Sequence, residues 1–213
     1  MCFSTEASLA ALLLGLASSA SVYSLPKPED KVLGLFFAFV SLMQGIEYLL
    51  WSHPICDSWN RNISRLGMWL NHHQPIVLGT LILKYFPRTQ YKSTFLFLMT
   101  LYFSLLVPYG LEFHRLPNEQ QCTHTTCEDH IPYSWANLRG SNILYSVYLF
   151  LFIAFPLLGF QNKAIAISSV VAGSIAWLTT GFFYKQKYFS SLWCFYAVFL
   201  PSLYSIARRY SIL

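Results

Sequence analysis

Residues Val32–Ser52 read VLGLFFAFVSLMQGIEYLLWS, an apolar run with a single carboxylate, Glu47. At about 1.5 Å per residue this run spans about 30 Å as a helix, the thickness of a bilayer's hydrocarbon core. A charged side chain near the bilayer centre costs at least about 2.5–3.5 kcal/mol, so Glu47 is expected to face protein or a water-filled cavity rather than lipid. An apolar stretch of this length in a membrane closes its own backbone hydrogen bonds as a helix. The run therefore points to an integral membrane helix with a polar inner face.

Similar blocks lie on both sides of it. Spans are predicted at about 7–24, 32–52, 66–84, 94–112, 138–160, 164–184 and 188–207. Together they give an all-α membrane protein, a bundle of seven transmembrane helices in one domain over residues 1–213. The composition agrees: 55% hydrophobic, 18% aromatic and 11% charged. A soluble domain carries about 25% charged residues. Polar breaks separate the blocks. They include Lys27–Lys31 (KPEDK), His53–Arg65, the long stretch 113–137, Gln161-Asn162-Lys163 and Lys185-Gln186-Lys187. The net charge of +5 sits in short loops and at the C-terminus, the pattern of membrane anchors rather than of a nucleic-acid surface. The expected partner is the lipid bilayer, with no nucleic acid. Protein partners stay open.

With all spans retained, eight Lys and Arg fall on the side of the C-terminus and six on the other. This predicts the N-terminus outside or lumenal and the C-terminus cytoplasmic. The sequon Asn62-Ile63-Ser64 is placed in the second loop, and Cys122 and Cys127 in the fourth, both on the outer side. A Cys122–Cys127 disulfide across the four intervening residues is the default for that pair, and it needs an oxidising compartment. A loop metal site is the alternative there. A competing reading makes residues 1–24 a cleaved signal ending in Ala17-Ser18-Ser19-Ala20-Ser21. The segment before it holds no Lys or Arg and does hold Glu6, which favours a retained first helix.

The polar residues inside the spans are the functional candidates. Gln44, Glu47 and Trp51 share one helical face by their spacing. Asn71, His72, His73 and Gln74 interrupt the third span. Counting from the outer ends of both spans puts the two groups at one depth, roughly 7–12 Å below the surface. Cys2, Tyr109, Tyr133, Trp135, Trp193 and Cys194 are placed near the same level, so one outer cavity is expected. Cys2, Glu47, His72, His73 and Cys194 are ligand types for a metal ion, although no tight spacing joins them. Helix-to-helix hydrogen bonding is the simpler role for Asn71 and Gln74. No zinc-protease, nucleophile-elbow or phosphate-loop motif is present in the sequence.

The opening Met1-Cys2-Phe3-Ser4, then Gln44-Gly45-Ile46-Glu47 with Trp51, Gln74-Pro75 and Trp193-Cys194, resembles a family of small multi-span membrane proteins that begin with MCFS. That family is associated with bacteria, algae and large DNA viruses. The resemblance implies that these stretches belong together and implies no activity. Three functions follow from the residues: a transporter of protons, ions or a small solute, a metal-dependent intramembrane enzyme or redox protein, and a structural or partner-binding protein.

Overall fold

A computed structural model describes residues 4–124, 131–183 and 194–209. Cys2, Cys127 and Trp193 lie outside these described residues. The described chain is helical, with no strand among the described residues. The elements are α1 (Thr5–Tyr23), α2 (Pro28–Ser52), α3 (Ser58–Tyr85), α4 (Lys92–Arg115), the short α5 (Asn118–Gln121), a 3₁₀ turn (Ser134–Asn137), α6 (Ser141–Gly159), α7 (Lys163–Phe183) and α8 (Leu200–Arg209).

Four of these helices, α1, α2, α4 and α6, are long and apolar enough to cross a membrane. The helix α3 is 28 residues long, but Asn71–Gln74 dilute its hydropathy. The apolar part of α7 among the described residues is Lys163–Thr179. Before α8 the backbone leaves the α-helical pattern: Val198 and Phe199 donate to the carbonyls of Phe195 and Tyr196, three residues back. Pro201 follows, and a proline removes an N–H and crowds the preceding turn. The predicted last span is therefore interrupted where it is described.

The expected boundary of the third span needs the largest correction. The helix starts at Ser58 rather than near residue 66, because Asp57 caps it by accepting from the Asn60 N–H at 3.0 Å. The sequon Asn62-Ile63-Ser64 thus lies within a helix and not in a loop. Its Ser64 is fully buried and hydrogen-bonded to Asn60 and Thr123.

The helix α3 is the centre of the fold, packed against α2, α4, α5 and α6. Along α1 and α2 the backbones approach closely at Gly15, where a Cβ would stand 2.2 Å from Ser41 Oγ. One apolar core lies toward the α3 C-terminus and contains Leu78, Ile82, Phe95 and Phe155. A second lies toward the α3 N-terminus, around Met43, Phe113 and Trp135.

Two clasps close the ends. At one end Cys56, in the α2–α3 connection, is bonded to Cys122 after α5. This corrects the expected Cys122–Cys127 pair. Thr123 then donates its backbone N–H to Asn60 Oδ1 at 3.0 Å, and the Asn60 amide returns a bond to the Thr123 carbonyl at 3.1 Å. At the opposite end the acids of Lys27–Lys31 turn inward rather than into solvent. Glu29 accepts from the backbone N–H groups of Gln161 and Asn162 at 3.1 and 2.9 Å, just ahead of α7. A carboxylate suits the unsatisfied donors of a helix N-terminus. Asp30, fully buried, accepts from the Tyr204 hydroxyl, from Arg208 Nε at 3.2 Å and from the Lys27 N–H at 2.9 Å. The start of α2 thereby fixes the start of α7 and the end of α8.

Two outcomes test these clasps. Asp30→Ala leaves the Arg208 guanidinium without its buried partner and is expected to cost about 3–5 kcal/mol, read as a lower unfolding midpoint in mild detergent. Lys31→Ala, at a half-buried neighbour, is expected to change that midpoint far less. Peptide mapping without reductant is expected to recover a Cys56–Cys122 linked pair, unchanged in Cys127→Ser.

Candidate functional site

The polar side chains of α2 and α3 are buried: Gln44, Glu47, His72 and Gln74 show 0% exposure and Asn71 2%. They form a chain, not a ring at one level. Gly67 of α3 lies against Ile46 of α2, which sets the register of the two antiparallel helices. From that register Glu47 and His72 stand about 9 Å apart along the bundle. The expected common depth fails because α3 begins with additional turns that read as a loop in sequence.

The links of the chain come from elsewhere in the fold. Tyr133 ahead of α6 donates its hydroxyl to Glu47 Oε1. Cys194 donates weakly to Asn71 Oδ1 at 3.9 Å. Asn71 Nδ2 donates to the Tyr145 hydroxyl at 3.5 Å, and the Tyr148 hydroxyl donates to Gln74 Oε1 at 2.5 Å. His72 is enclosed by aromatic rings, with centroids 5.2 Å from Tyr109, 5.0 Å from Tyr145 and 6.4 Å from Tyr148. Neither ring nitrogen of His72 has a hydrogen-bond partner among the described residues. The same holds for both amide atoms of Gln44 and for the Trp51 indole nitrogen.

The two histidines part. His73 is half-buried, its Nδ1 bonded to the Trp69 carbonyl at 2.7 Å, and its ring lies near Trp69 and Phe103. It belongs to the face of α3 turned toward α4, because consecutive helical residues point in different directions. Trp69 continues this face by donating to His114 Nε2 at 3.1 Å. Of the candidate metal set, Cys2 lies outside the described residues, and among the described residues no three His, Cys, Asp or Glu groups converge as a metal site. Trp135, read from sequence as a residue ringing the cavity, is fully buried and stacked on Tyr133 at 4.3 Å. Tyr109 donates to its backbone carbonyl.

Sequence reading missed Tyr145 and Tyr148. Their spacing of three puts both on one face of α6, a signal hidden among the aromatic residues of an apolar helix. It also missed Cys56 and the Asn60–Ser64–Thr123 network. Outside the spans, the Asp57 carboxyl is held below the usual carboxylate range, first by the Asn60 N–H and then by His53.

The chain matches no family model, no curated protein and no solved structure.

Toward the α3 C-terminus the chain of polar groups ends. Below Gln74 the interior is Leu78, Ile82, Phe95 and Phe155, all buried. The site is thus a polar region in the disulfide half of the bundle, closed by an apolar plug. Chemically it offers a carboxylate, a thiol, an imidazole, three amides and several phenols. These are donors and acceptors for a proton or a small polar molecule.

Removing the Tyr133 hydroxyl takes a hydrogen bond from the buried Glu47 carboxylate. Tyr133→Phe is expected to lower stability by about 1–3 kcal/mol. Thermal unfolding in detergent checks this, with Tyr91→Phe as the half-buried comparison.

Proposed function

We propose that this chain crosses the membrane seven times and binds a proton or a small polar solute at the Glu47–His72 site for transport. The spans are α1, α2, α3, α4, α6, α7 and the segment that ends in α8. The connections carrying the Cys56–Cys122 bond lie outside or in a lumen, and the C-terminus lies in the cytoplasm. The disulfide supports that orientation, since it persists in oxidising compartments. The cationic residues Lys27, Lys31, Lys84, Arg88, Lys92, Lys163, Arg208 and Arg209 support it from the other end.

The observation that carries the reading is His72, buried within the bundle with both ring nitrogens unpartnered among the described residues. An imidazole in a dry interior is stable only when its polar atoms find partners. A bound polar solute, or water carrying a proton, supplies them. Glu47 and Gln44 add an acceptor and an amide on the facing helix. Ionisable residues inside membranes mark such pathways.

The apolar plug formed by Leu78, Ile82, Phe95 and Phe155 favours a second reading. In it the site holds a solute without passing it on, as in a sensor or partner-binding protein. In the first reading the plug must part during each cycle.

The test is reconstitution in liposomes loaded with a pH-sensitive dye. Under an imposed pH gradient the native chain is expected to dissipate it, and Glu47→Gln to slow dissipation at least tenfold while the unfolding midpoint stays close to native. Rates equal to empty liposomes, or unaffected by Glu47→Gln, reject proton transport. Solute-dependent thermal stabilisation without flux selects the second reading.

A further inference from the structure

The helix α7 has α6 as its main neighbour. Between it and the rest of the bundle run three adjoining apolar cavities. The first, about 230 Å³, lies between α6 and α7 and is lined by Phe152, Gly173 and Trp177. The second, about 40 Å³, shares Phe152, Ser169 and Gly173 with the first. The third, about 180 Å³, shares Leu33, Phe37, Ser169 and Leu200 with the second and ends at Tyr204 and Ala207. Shared walls make them one groove along α7.

The groove has a length and a polarity. Along α7 it runs from Ser168 to Leu178, about 15 Å, which is half the thickness of a hydrocarbon core of about 30 Å. That is the depth of one leaflet. Its end at Ala207 is the cationic end of the bundle. Arg208 and Arg209 follow directly, Lys163 opens α7, and Lys31 precedes Leu33. Arg208 is held by Asp30, and Glu29 is occupied by the α7 N-terminus. Lys31, Lys163 and Arg209 have no carboxylate partner among the described residues. Lys31 donates to the Tyr23 carbonyl and Arg209 to Ser21 Oγ at 3.4 Å, both on α1, whereas Lys163 donates to the Leu157 and Phe160 carbonyls on the α6–α7 side where the groove runs. Basic residues at the mouth of a groove between membrane helices attract anionic headgroups.

We propose that this groove holds one acyl chain of an anionic phospholipid, with its headgroup phosphate at Lys163. The lipid fills the space between α7 and the α2–α6–α8 wall and thereby seats α7. An apolar chain is the fitting occupant of a dry apolar space within a bilayer, and the cationic end sets the choice of headgroup. This site is separate from the Glu47–His72 chain and does not rest on the transport reading.

Native mass spectrometry of the full chain in mild detergent, with equimolar phosphatidylglycerol and phosphatidylcholine added, tests it. One phospholipid per chain is expected, with phosphatidylglycerol favoured about tenfold. Gly173→Trp fills the groove and is expected to reduce retention at least tenfold. Ser169→Leu is the milder variant to read if that chain does not fold. Ile167→Trp adds the same bulk at an exposed position of α7 and is expected to retain lipid. Lys163→Gln is expected to abolish the headgroup preference, and Arg209→Gln, on the α1 side of α8, to leave it unchanged. Full retention in both groove-filling variants, no retained lipid, or a lipid-free dimer disrupted by Gly173→Trp overturns the proposal. Equal retention of the two lipids by the native chain overturns the assigned headgroup.

Discussion

A helix with Asn71, His72 and Gln74 at its middle is stable within an apolar slab only when other helices cover it. That constraint shapes this fold. The helix α3 stands at the centre because its polar side chains have no tolerable place at the lipid boundary. The surrounding helices bring what α3 needs. Tyr145 and Tyr148 come from one face of α6, and Cys194 from the segment before α8. The exposed positions of α4, α6 and α7 are in turn apolar, such as Phe97, Phe150 and Ile175.

The two ends are stabilised by different chemistry, and each suits its expected surroundings. The Cys56–Cys122 end adds a covalent bond and a network of neutral hydrogen bonds through Asn60, Ser64 and Thr123. The opposite end uses charge: the Asp30–Arg208 pair and Glu29 at the start of α7. Breaking such a buried pair from one side leaves an uncompensated charge, which is why Asp30 matters more than an exposed acid would. Between the ends lies the contrast that frames the functional reading. One half of the bundle is polar inside and the other is filled by Leu, Ile and Phe.

Local physics explains how much was legible in sequence. Apolar blocks located the described helices because length and hydropathy are local properties, and α1, α2, α4, α6 and α7 begin and end near their expected bounds. The start of α3 was not legible in the same way. Residues 58–65 are polar and read as a loop, yet a helix can extend past the apolar region when its polar groups are met. Asp57 supplies the cap, and Thr123 meets Asn60 and Ser64. The same error misplaced Glu47 and His72 at one depth.

The sequence by itself determined the membrane-helical class, the separation of charge between the ends, and the identity of the costly buried groups. It could do so because a carboxylate or imidazole in an apolar run carries its cost wherever the run folds. Tertiary structure alone decided partners: Cys56 with Cys122, Asp30 with Arg208, Glu47 with Tyr133, Gln74 with Tyr148. These pairs are 66 to 178 residues apart, and no spacing rule connects them. It also decided which of His72 and His73 faces the interior. Neighbours on a helix differ in direction by about 100°, so the choice rests on where α4 and α6 pack.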